Sequence, residues 1–214
     1  MCLIRNQVCC QRYRGFESLP LRIRSLRRRT PYFIAVGTAA WRVPVPTHTT
    51  LLMKTEAQIL ATVMDSTRHY TLSYFNRLRD QDLHRRFICE GKELNSAFWL
   101  IAHLATTENG LLLRATGGEV IKFSWAKNFT LGGAGLPQAE CPPFSEVFDM
   151  FNAVHTKAIA HVATLDDQAL SRPNITGLPF GDQVRHVVMH AIRHEGSHIG
   201  HLGWLCKLYG IKTM

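Results

Sequence analysis

The stretch HAIRHEGSHIGH, residues 190–201, carries four histidines in a run that otherwise reads as an amphipathic helix. An α-helix advances about 100° per residue, which sets His194, His198 and His201 about 40°, 80° and 20° from His190 on one narrow stripe. His186 extends the stripe by one turn. Val187, Val188, Ile192, Ile199, Leu202 and Leu205 spread over the rest of the core-facing side, so the imidazoles look inward or along the edge of a cleft. Buried imidazoles without partners are expensive, because each leaves a polar nitrogen short of a hydrogen bond. A bound metal removes much of that expense.

The rest of the chain reads as more helices of the same kind. No glycine or proline interrupts residues 54–90, and Ile59, Val63, Leu72, Phe75 and Leu78 recur at helical intervals, which predicts a first helix over 54–80. Asn95 or Ser96 opens a second, apolar helix that runs to about 115. Residues 116–143 are rich in glycine and proline and form a long connection. A third helix is expected over 145–164 with Ser145 as its cap, and a fourth over 182–209, stopped by Gly210. No strand of convincing period and no internal repeat is visible. The expected fold is all-α, a four-helix bundle with a long crossover between helices two and three. Trp99, Phe148, Phe151 and Trp204 fall at helical spacing and are expected in its core.

Charge separates this body from the segment before it. Of the formal net charge of +9, +8 belongs to residues 1–52, with nine arginines and a single acid, Glu17, which leaves +1 for residues 53–214. The body is nearly neutral, and nothing in it argues for phosphate binding. The first segment has no lysine, no sustained period and three of the six cysteines. An Arg-rich, acid-poor composition suits a transit peptide. A secretory signal fits less well, since the apolar run YFIAVGTAAW begins late and is too short to span a bilayer. The favoured expectation is that Met53 is the start, and that residues 1–52 are an unstructured Arg-rich extension outside the fold and not part of the native protein. Cys89, Cys141 and Cys206 lack any C-x-x-C spacing and read as free thiols of a reducing cytoplasm.

Bundles build metal sites from side chains on facing helices. Two histidines four residues apart on the last helix put their nitrogens one turn apart, and a third ligand must then come from another helix. The second helix holds one histidine, His103, flanked by Trp99, Leu100 and Leu104. A lone histidine on an apolar face is ordinarily a hydrogen-bonded core residue; facing a histidine stripe, it becomes a ligand candidate. Glu108 lies about 140° around the helix from His103 and is not expected on the metal. HEGSH fits the metalloprotease pattern H-E-x-x-H literally, but no third-ligand glutamate helix and no edge strand for a peptide accompany it. Glu195, about 100° from His194, is expected on the surface or between helices rather than as a general base. His190 and His201 flank the site one turn either way, where they support its ligands, line the cleft or sit on a solvated or hydrogen-bonded edge.

SAFWLIAHLATTE on the second helix, together with HAIRHEGSHIGHLGWL on the last, resembles the DinB/YfiT-like superfamily of metal-binding four-helix bundles. The resemblance spans about residues 54–209 and includes the long link between helices two and three. His201 stands where that family often has glutamine. The resemblance implies a divalent metal on His103, His194 and His198, with water in the remaining positions; zinc, nickel, iron and manganese all accept imidazole. It also implies a metal-dependent enzyme that activates a low-molecular-weight thiol for S-transfer or isomerisation. The alternatives are a metal-dependent hydrolase and a non-catalytic metal-binding stress-response protein. The expected partners are a small-molecule substrate and a second copy of the chain in a homodimer, with neither nucleic acid nor membrane. Since ligand imidazoles must be neutral, metal affinity is expected to fall as pH drops through about 6.

Overall fold

A computed structural model describes residues 54–213. The expectation for residues 1–52 lies outside the described residues. Helix α1, Glu56–Leu78, starts on a capping box in which Thr55 Oγ1 accepts from the Gln58 amide at 3.2 Å and the Gln58 side chain accepts from the Thr55 amide at 3.0 Å. Its buried residues are Ala57, Leu60, Ala61, Met64, Arg68, Thr71, Phe75 and Leu78, a three–four spacing that makes one straight seam. Ile59 and Val63, expected on the core face, are instead 50% and 43% exposed. The seam follows small residues at the N-terminal end and carries two polar side chains at its centre, so hydrophobicity alone points to the wrong face.

A two-residue ribbon follows, β1 (Ile88–Cys89) paired with β2 (Lys92–Glu93). Glu90 and Gly91 turn it at φ of 51° and 76°, the paired positive values of a tight hairpin. This exposed ribbon was not foreseen from the sequence. Helix α2, Ala97–Glu108, is capped by Ser96, whose hydroxyl accepts from the Trp99 amide at 3.2 Å, and is buried almost all round. Its last turn widens into a π-helix over Asn109–Arg114. There the Asn109 side chain grips the crossover, bonding the amide and the carbonyl of Ile121 at 3.0 and 2.8 Å.

The crossover has little regular structure but is anchored by Trp125 and Phe129, both buried. Helix α3 spans Phe144–Val162. Its cap is Pro143 rather than the expected Ser145: the ring holds φ at −52°, and the Pro143 carbonyl takes the first helical bond from Val147. A short helix, α4 (Asp167–Ser171), capped by Asp166, occupies the loop before α5, Val184–Leu208. Gly210, at φ 73°, ends α5; its amide bonds Lys207 O and the Ile211 amide bonds Cys206 O, closing a Schellman motif.

The long helices α1, α2, α3 and α5 form the bundle, with α1 packed chiefly on α5 and α2 on α3. Two apolar clusters fill it. One gathers Phe75, Phe98, Phe151 and Leu202; the other gathers Met64, Leu112, Val162 and Val188. On every long helix a buried polar residue falls between the two: Arg68 and Thr71 on α1, Glu108 on α2, His155 on α3, Glu195 and His198 on α5. Trp99 and Phe151 are core residues as expected, whereas Phe148 is only half-buried and Trp204 is 63% exposed. Trp204 faces outward, with the Lys207 ammonium 5.0 Å from its ring centre. No described helix is long and apolar enough to cross a membrane.

Candidate metal centre

His103 on α2 meets His194 and His198 on α5. The Nε2 atoms of His103 and His198 each lie 3.1 Å from Nε2 of His194. His103 is fixed from behind: its Nδ1 donates to the Phe129 carbonyl at 2.7 Å, and its ring stacks on Trp99 at 4.5 Å. The crossover therefore selects the tautomer whose Nε2 lone pair faces α5. His103 and His198 are buried and His194 is half-buried, so access comes from the His194 side. A small cavity opens there, lined by Thr67, Leu104, Thr107, Leu111 and Ile192 beside His194.

Burial holds all three imidazoles below their ordinary pKa. His194 is lowered to about 4 and His198 to about 3, by burial first and then by repulsion from neighbouring imidazoles. For His103 burial also lowers the value, against the opposing bond to Phe129. Three neutral rings thus converge, and one N–H on His194 can satisfy only one of its two neighbours. Lone pairs are left facing each other, which a cation relieves. Ligand atoms about 2.0–2.1 Å from a tetrahedral ion lie about 3.3 Å apart, close to the spacing seen. The three residues fit a divalent metal and could hold one.

The flanking residues divide. His201 is exposed, with Nδ1 3.0 Å from Nδ1 of His198, and so contacts a ligand from behind. His190 stacks on Phe180 at 3.5 Å, its ring centre 6.0 Å from that of His194, and does not line the cavity beside His194. Glu195 turns to α1: its Oε1 accepts from Arg68 Nε at 2.7 Å and from Thr71 Oγ1 at 2.6 Å. That removes the free general base which the H-E-x-x-H reading needs.

Glu108 joins the same network. Its Oε2 accepts from Arg68 at 2.7 Å and its Oε1 from His155 Nδ1 at 2.7 Å. Arg68 also donates to the Phe151 carbonyl at 3.1 Å and covers the Phe151 ring. Burial opposes both charges, yet the pairing outweighs it: Glu108 ends below the usual carboxylate range and Arg68 above its own. Glu108, His155 and Glu195 bring metal-ligand atoms together, but the guanidinium already supplies their cation. Sequence reasoning passed over Arg68 and His155. The available signal was a polar residue at a seam position, Arg68 between Met64 and Phe75, and His155 between Phe151 and Ala158.

A four-helix bundle that gathers three imidazoles and no carboxylate into one buried group is of the class built to carry a metal ion. The DinB superfamily model matches residues 64–202, from the middle of α1 to the end of the histidine stripe. The chain belongs to the DinB superfamily. No curated protein matches it.

Proposed function

We propose that this protein is a metal-dependent enzyme acting on small molecules, with His103, His194 and His198 as its ligands and a low-molecular-weight thiol as its nucleophile. The observation that carries the reading is the all-imidazole set: three neutral donors, with both nearby carboxylates committed to Arg68. A divalent ion in such a set keeps its full charge, attracts an anion and acidifies a thiol or water bound to it. Each residue has a part in this. Phe129 and Trp99 hold the His103 ring, burial keeps His194 and His198 neutral at physiological pH, and half-exposed His194 leaves a way in. Apolar Leu104, Leu111 and Ile192 on the approach lower the local dielectric and strengthen attraction for a thiolate. Hydrolysis by a metal-bound hydroxide would use the same ligands, but with Glu108 and Glu195 both paired with Arg68 it would have neither of these carboxylates as an assisting base. A homodimer belongs to the same proposal, as does the choice among zinc, nickel, iron and manganese.

The test is a thiol titration of the cobalt- or nickel-loaded protein followed in the ultraviolet. The reading expects a sulfur-to-metal charge-transfer band that is lost in His194→Ala and His198→Ala, and thiol consumption with a model electrophile. No band with any cellular thiol, together with thiol-independent ester or amide cleavage, would overturn it in favour of a hydrolase.

A further inference from the structure

Thr107 does not place its hydroxyl as other helical threonines of this chain do. Thr62, Thr67, Thr106 and Thr156 each donate back to the carbonyl four residues earlier, at 2.8–3.0 Å, which satisfies the hydroxyl within its own helix. Thr107 Oγ1 instead lies 3.4 Å from Nε2 of His103, one turn before it on α2, its one hydrogen bond among the described residues. Nδ1 of His103 donates to Phe129, so Nε2 accepts and the hydroxyl donates, across a long and weak contact. That Nε2 is the same nitrogen His103 turns towards His194.

When the three histidines hold an ion, the Nε2 lone pair is spent on it, and the half-buried Thr107 hydroxyl is left as a donor on the wall of the cavity beside His194. The other polar side chains of that wall are committed: Thr67 donates to the Val63 carbonyl, Glu108 and Glu195 are paired with Arg68, and His194 is a ligand. We propose that Thr107 donates a hydrogen bond to the anion that binds the loaded centre, and so holds a small anionic group, a thiolate among them, against the ion. A hydroxyl aimed at an anion favours the charged form over its neutral acid. The proposal rests on the three-histidine reading and is independent of whether the substrate is a thiol.

The test is a titration of the cobalt-loaded full chain with azide, followed in the visible, since azide reports on the open side of the ion whatever the substrate is. Thr107→Val removes the hydroxyl and keeps the branched shape, Thr107→Ser keeps the hydroxyl, and Thr106→Val removes a neighbouring hydroxyl that bonds only Ala102. The wild type, Thr107→Ser and Thr106→Val are expected to bind azide alike, and Thr107→Val about tenfold more weakly, with cobalt content and helical circular dichroism unchanged throughout. Undiminished azide affinity in Thr107→Val would mean that the hydroxyl turns back to its own helix, and overturns the proposal. So do a loss that Thr107→Ser shares in full, a loss of cobalt from Thr107→Val, and a loaded wild type that takes up no azide. A wild type that holds no cobalt, or full cobalt content in both His103→Ala and His198→Ala, overturns the three-histidine reading and this proposal with it.

Discussion

Replacing Arg68 by alanine would leave Glu108 and Glu195 buried with no counter-charge, because the guanidinium is the cation both carboxylates share. Breaking a buried pair from one side typically costs about 3–5 kcal/mol, and chemical denaturation of Arg68→Ala should show a loss of that size. At the ligands the depressed pKa values set a pH window. Below about 6.5 the unfolded chain binds protons that folded His194 and His198 refuse until about pH 4 and 3. Metal-free protein should therefore lose stability as pH falls from about 6.5 towards 4, with these two groups adding little further slope below their folded values. The same burial shifts the expected metal release below pH 6: folded His194 and His198 stay neutral there, so these two ligands should keep their hold on the metal to about pH 4–5 if the bundle holds. Metal content against pH, read beside circular dichroism, separates release from unfolding.

Among the elements, α5 depends on its ending. Gly210 at φ 73° closes the Schellman motif, and a Cβ there is disfavoured by roughly 1 kcal/mol; Gly210→Ala should lower the thermal midpoint by a few degrees without changing metal content. The four long helices were legible because proline stays outside all of them, apolar residues recur along them, and Ser96 and Gly210 mark two of the boundaries. The buried face of α1 was not. Periodicity weights Ile59 and Val63 as core, whereas the bundle buries Ala61, Arg68 and Thr71, residues whose burial makes sense only once Glu195 and Glu108 arrive from other helices. The π-turn after Glu108 and the hairpin at Glu90 escaped for a similar reason: their geometry rests on Asn109 gripping Ile121 and on two positive φ angles, not on any period. Of the centre, spacing alone nominated the α5 stripe and His103, but which histidines converge depends on where α2 crosses α5.

Residues 54–213 build a bundle of two apolar clusters separated by a polar layer, with the three histidines beside that layer. The layer ties all four long helices together through Arg68, Glu108, His155 and Glu195, which keeps α2 in register with α5 and so holds His103 opposite His194. We propose that residues 53–214 fold without the segment that precedes them; a chain beginning at Met53 should unfold in one cooperative step at the midpoint of the full-length protein, and loss of cooperativity would contradict this. The central claim is that His103, His194 and His198 together hold one divalent ion. Its most direct test is the metal content that survives dialysis at neutral pH in the wild type, His103→Ala, His198→Ala and His201→Ala. The account predicts one tightly held ion in the wild type and in His201→Ala, and most of it lost from His103→Ala and from His198→Ala with helical content unchanged. Full occupancy in both of those variants would contradict it.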